Sequence, residues 1–133
     1  MVTSIVLPPE RSAASRARHF TRAALARLDV PSAVIDDAEL LVSELVTNAV
    51  LHARSSSRVE INRENGRVRV TVRDESAEQP RLRNGGADAT TGRGLLLVDR
   101  LAHSWGVDRS GISGKVVWFE LDALEARRVE RSQ

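Results

Sequence analysis

Three groups of residues in this 133-residue chain could do chemistry together. The first is a carboxylate, a carboxamide and an imidazole: Glu44, Asn48 and His52, four residues apart inside DDAELLVSELVTNAVLHA. In an α-helix that spacing makes one stripe. Here the stripe runs along the rim of an apolar arc built by Ile35, Ala38, Val42, Leu45, Val46 and Ala49. A carboxylate so placed can take a proton, and a carboxamide oxygen can ligate a hard cation. The second group is Asp74, which follows the alternating run RVRVTVR where a long irregular stretch begins. The third is Gly92-Arg93-Gly94 ahead of LLLVDRLA. A glycine pair there lets the backbone approach an anion, and the amides of a helix N-terminus point at it. Each group also has a plainer reading: a polar rim beside a core, a strand-end cap, a flexible loop. Their order along one chain is what argues for a shared site.

The elements that must hold these groups are legible from periodicity. Val2 to Leu7 reads as a short strand ended by Pro8-Pro9. From Glu10 to Leu28, the spacing of Ala13, Ala14, Ala17, Phe20, Ala24, Leu25 and Leu28 suits one face of a helix. A second helix is expected from about Ala33 to Ala53, with Ser32 as its N-cap. Arg58–Asn62 and Arg67–Arg73 alternate polar and apolar around Asn65-Gly66, the pattern of an antiparallel hairpin with one face buried. Glu75 to Thr91 has no periodicity and reads as a functional lid. A short helix is expected over Gly94–Leu101, followed by a strand pair, His103–Val107 and Lys115–Leu121, around a Gly111–Gly114 turn.

Composition bounds the rest. Hydrophobic residues make up 41%, ordinary for a globular domain and long enough to bury a core. There is no cysteine, hence no disulfide framework and no thiolate metal site. No run approaches the ~18 apolar residues of a membrane span, and Met1–Glu10 lacks the pattern of a secretory signal, so a cytoplasmic protein is expected. The net charge is +2 despite a pI of about 10.3. Lys115 is the sole lysine, and the high pI reflects a small surplus of arginines that never deprotonate. Arg11, Arg16, Arg18, Arg22 and Arg27 could make a phosphate footprint, but the near-balanced charge favours contact with acidic protein surface over nucleic acid.

Taken in order, Glu44-Leu-Val-Thr-Asn48, Asp74-Glu-Ser76 and Gly92-Arg-Gly94-Leu95 resemble the nucleotide-binding domain shared by gyrase-type topoisomerases, sensor histidine kinases and heat-shock chaperones. The resemblance covers roughly Leu7 to Leu121. The chain's size and its Trp105-Gly-Val and Val117-Trp-Phe-Glu-Leu121 segments look similar to stand-alone anti-sigma-factor serine kinases of the actinobacterial type. That resemblance implies a two-layer α/β sandwich of the Bergerat type, a mixed, mostly antiparallel sheet with helices on one face. It implies one ATP-binding domain over 1–122 and a charged, frayed tail over 123–133. It also implies ATP and Mg²⁺ as ligands. Asn48 would ligate Mg²⁺, and Asp74 would accept from the adenine amino group. Gly92, Gly94 and the Leu95 amide would hold phosphates, with Arg93 in reach of them. Glu44 would act as general base toward a partner's serine, and His52 would support the site. The implied partners are an anti-anti-sigma factor and a sigma factor, with a homodimer left open, and neither nucleic acid nor membrane.

Two positions depart from the pattern. Where relatives carry Asp-x-Gly-x-Gly, this chain has Ser76 and Glu78, and no threonine stands near Lys115-Val116 on the late strand. A narrowed adenine pocket and a weak ATP site are therefore expected. The alternative function is a nucleotide-binding partner switch without turnover.

Overall fold

A computed structural model of the chain describes residues 2–74, 94–108 and 114–123. The expected lid, Gly92, Arg93, Ser76, Glu78, most of the Gly111–Gly114 turn and the tail beyond Ala123 lie outside these residues. Ala123 itself, the first residue of the expected tail, is fully buried, and its amide donates to the Gly66 carbonyl at 2.8 Å.

The order of elements is β1 (Val2–Leu7), α1 (Ala13–Arg27), α2 (Ser32–Asn48), a π turn (Ala49–Ala53), β2 (Ser57–Glu64) and β3 (Arg67–Asp74). A helix α3 over 94–101 follows, then β4 (Ser104–Asp108) and β5 (Val116–Asp122). The strands form one sheet ordered β1-β2-β3-β5-β4. Every neighbouring pair is antiparallel, so the expected mixed sheet is replaced by a wholly antiparallel one among the described strands. The reason is topological. β3 and β4 both run antiparallel to β5, which lies between them and keeps the two parallel strands from touching.

The hairpin forms because its turn chemistry and its alternation agree. Asn65 and Gly66 both have positive φ, 56° and 79°, as a two-residue type I′ turn requires. From that turn the register runs back to Ser57 opposite Asp74. Val59, Ile61, Val68, Val70 and Val72 face inward and pack with Val117, Phe119 and Leu121 of β5 beneath the helices.

The helices lie on this inner face. Alanines at 13, 17 and 24 are buried, and such small side chains let α1 sit close to α2. Val34 and Leu41 are buried on α2 in addition to the expected arc. The helix also begins one residue earlier than expected. Pro31, not Ser32, is the half-in residue, and its carbonyl accepts from the Val34 and Ile35 amides at 3.0 Å. Proline suits this position because its φ is preset, here −58°.

Two of the four arginines of α1 reach α2. Arg22 binds Glu39 and reaches Asp36 at 2.6 Å, and Arg18 donates to the Ser43 hydroxyl at 3.0 Å. The hydrogen bonds it donates to Asp36 and then to Glu39 raise the Arg22 pKa above its ordinary value, so it stays charged. Part of the acidic surface expected to meet this arginine row is thus supplied by the chain itself.

On the outer face, the Trp118 indole lies over Gly106, with the Arg69 guanidinium 4.1 Å from its ring centre. A Cβ at Gly106 would fall 2.6 Å from the indole nitrogen and 2.8 Å from two ring carbons. Gly106→Ala must therefore lift the indole off the sheet. We expect a loss of about 1–3 kcal/mol in urea unfolding, and an unchanged midpoint would show that the indole moves freely.

Candidate functional site

Helix α2 carries two of the expected groups toward one end of the sheet. Glu44 is half-buried and makes a polar or electrostatic interaction in the folded chain. Asn48, one turn further, is buried at 7% exposure, although the helix surface is where a carboxamide normally sits. Immediately after Asn48 the helix widens. The Arg54 amide donates at 2.9 Å to the Ala49 carbonyl five residues back, and Arg54 ends the turn in the left-handed region at φ 51°. Such π turns are frequent at functional sites. His52 falls inside the π turn, where four residues no longer make one turn. Glu44 and Asn48 keep regular α-helical spacing, and the backbone of His52 follows in the π turn.

Helix α3 brings Gly94 to the same place. A Cβ built on Gly94 would lie 2.9 Å from Asn48 Nδ2, so the first residue of α3 abuts the carboxamide directly. A side chain at this position would require the Asn48 carboxamide to move. Val98 of α3 is fully buried, and the Trp105 indole N–H donates to Asp99 at 2.9 Å, anchoring the helix to β4. Leu95 is half-buried and packs on the core.

Asp74 ends β3 on the inner face, in line with Val70 and Val72. Its amide donates to the Lys115 carbonyl at 2.9 Å, and its register partner is Ser57. Ser57 was not among the residues singled out by motif. It is 1% exposed, and its hydroxyl has no hydrogen-bond partner among the described residues. Counting back from Asn65-Gly66 could have found it, as a polar residue at a core-facing position opposite Asp74.

Among the described residues, no cluster of three or more His, Cys, Asp or Glu side chains could hold a metal. A divalent cation here would take Asn48 as its protein ligand and phosphate and water oxygens for the rest, as Mg²⁺ does readily. A buried carboxamide at a helix N-terminus and an orphan hydroxyl beside a carboxylate suit a phosphate-bearing base. The described helices include none long and apolar enough to cross a membrane.

An antiparallel sheet under helices, with a carboxamide helix meeting a glycine-led helix N-terminus, defines an ATP-binding α/β sandwich. The chain belongs to the histidine kinase-like ATPase domain family, matching it over residues 7–121. Among solved structures, it is similar to the RsbU and RsbW domains of Rv1364c from Mycobacterium tuberculosis. That match has a TM-score of 0.71 and 23% identity over 91% of this chain and 32% of that one. It is also similar to the blue-light activated histidine kinase EL346 of Erythrobacter litoralis, at TM-score 0.56 and 29% identity over 75% of this chain and 34% of that one. For the histidine kinase domain of the same protein the values are 0.54 and 25%, over 74% and 49%. The chain thus spans a third to a half of the length of these proteins. No curated protein is a significant match.

Proposed function

We propose that the chain is an ATP-dependent protein serine/threonine kinase that acts as an anti-sigma factor, phosphorylating an anti-anti-sigma partner and binding a sigma factor when that partner is modified. The observation that carries this reading is the Glu44–Asn48 pair on α2, with Asn48 set against Gly94 at the start of α3. A domain that only bound nucleotide would need Asn48 and the helix N-terminus, but not a carboxylate one turn away. The fold likeness to a chain containing an RsbW domain supports the same reading.

In this assignment Asn48 holds Mg²⁺, which when bound neutralises phosphate charge. Gly92, Gly94 and the Leu95 amide cradle the phosphates, Arg93 reaches them, and Asp74 accepts from the adenine amino group. His52 supports the site from the π turn. Glu44 takes the proton from the partner's serine hydroxyl as that oxygen bonds to the γ-phosphorus. The bond from that phosphorus to the bridging oxygen breaks, and ADP leaves. Residues 1–122 would form the working domain.

The test is incubation with γ-labelled ATP, Mg²⁺ and candidate small partners carrying an exposed serine. Label on the partner's serine is the expected result. Ser76 and Glu78, at positions where relatives carry glycine, favour a second reading as a nucleotide-loaded switch without turnover. Tight ATP-dependent partner binding without label would establish that reading instead.

A further inference from the structure

The end of the β2–β3 hairpin carries a polar pair where the sheet's inner face should be apolar. Along β2 the inward positions are Ser57, Val59 and Ile61; along β3 they are Val68, Val70, Val72 and Asp74. The register places Ser57 and Asp74 directly across from each other, after Val59 and Val72 one step further in. Opposed side chains on one face of an antiparallel pair stand about 4.5–5.5 Å apart at Cβ. Ser57 is 1% exposed, and among the described residues neither its hydroxyl nor the buried Ser55 hydroxyl two residues earlier has a partner. A buried hydroxyl left unpaired is costly, and native proteins rarely keep one without a use.

We infer that Ser57 is a base-recognition residue: its hydroxyl donates to the N1 acceptor of adenine while the opposed Asp74 carboxylate accepts from the adjacent exocyclic amino group. The inference deepens the proposed ATP site and rests on it. The donor–acceptor order is the ground for choosing adenine. A carboxylate offers only acceptors, and a serine hydroxyl can donate. Together they match the neighbouring amino donor and ring-nitrogen acceptor of adenine. Guanine presents a carbonyl acceptor and a ring N–H donor on the same edge, so one of its groups would face a like partner.

The test is calorimetric titration of the full chain with Mg²⁺ and either ATP or 1-deaza-ATP, which lacks the N1 acceptor. Wild type, Ser57→Ala and Asp74→Asn are compared, with thermal unfolding of each free protein. Ser57→Ala should bind ATP on the order of tenfold more weakly than wild type. It should bind 1-deaza-ATP as wild type does, and unfold at the same or a higher temperature, because an orphan hydroxyl has been removed. ATP binding unchanged in Ser57→Ala while Asp74→Asn weakens it would overturn the role of Ser57 alone. An equal loss for ATP and 1-deaza-ATP would also overturn it, as a mere packing effect. Wild type without ATP affinity, or Asp74→Asn without effect, would instead remove the ATP site and this inference with it.

Discussion

Glu44→Ala should slow phosphoryl transfer to a partner serine by about 10²–10⁴-fold while leaving ATP bound, the range expected for loss of a positioned general base. The reasoning starts from α2. Glu44 lies one turn before Asn48 on the same helix, half-buried, at the edge of the space that α3 approaches from the other side. A serine hydroxyl is a poor nucleophile until its proton has somewhere to go, and Glu44 is the carboxylate placed beside the proposed metal ligand. Because Glu44 also makes an interaction within the fold, the isosteric Glu44→Gln is the necessary companion. It keeps the shape and removes the basic oxygen. Single-turnover transfer with labelled ATP, alongside calorimetric ATP binding, reads the two effects separately. Transfer at the wild-type rate in Glu44→Gln would end the assignment of Glu44 as base.

Gly94→Ala should separate site geometry from stability even more cleanly. The added Cβ would sit 2.9 Å from Asn48 Nδ2, closer than two such atoms can stand. The obstructing atom is the far end of a side chain, so the fold can relax by turning the carboxamide away. That relaxation removes Asn48 from its position at the α3 N-terminus. We expect a small change in unfolding temperature but a loss on the order of 10²-fold in transfer, the scale that a displacement of about 1 Å can cause. Weakened dependence on Mg²⁺ should accompany it. A variant with a much lower unfolding temperature would show instead that Gly94 matters for packing. Unchanged transfer would mean that Asn48 is not held for the metal.

Much of the fold could be read locally, for identifiable reasons. Asn65-Gly66 dictates a type I′ turn because both residues tolerate positive φ, and period-two alternation on either side then sets which valines face inward. Glu44 and Asn48 share a face because α-helical spacing puts them there. The sequence was less informative about where a local pattern ends. The boundary of α2 shifted because a proline carbonyl, not a serine side chain, supplies the first acceptor. The expected continuation of that helix to Ala53 became a π turn, and propensity has no signal for the change.

The sheet shows the same division at longer range. The hairpin strands announced themselves by alternation, but the placement of β5 between β3 and β4, which makes every pairing antiparallel, depends on which edge the last strand finds. Arg22 reads in sequence as one of five surface arginines and proves to be tied to Asp36 and Glu39.

By itself, then, the sequence determined the hairpin, the helical phase of Glu44 and Asn48, and the family to which the ordered motifs belong. These rest on turn chemistry and periodicity, which act over a few residues. The tertiary structure alone decided that Gly94 touches Asn48, that the helix widens after Asn48, and that Ser57 lies buried and unpaired opposite Asp74. Those features depend on which elements meet in the folded chain, Gly94 with α2 and β2 with β3. There the Asn48 carboxamide crowds the space beside Gly94, and the Ser57 hydroxyl is shut away from water with no partner among the described residues.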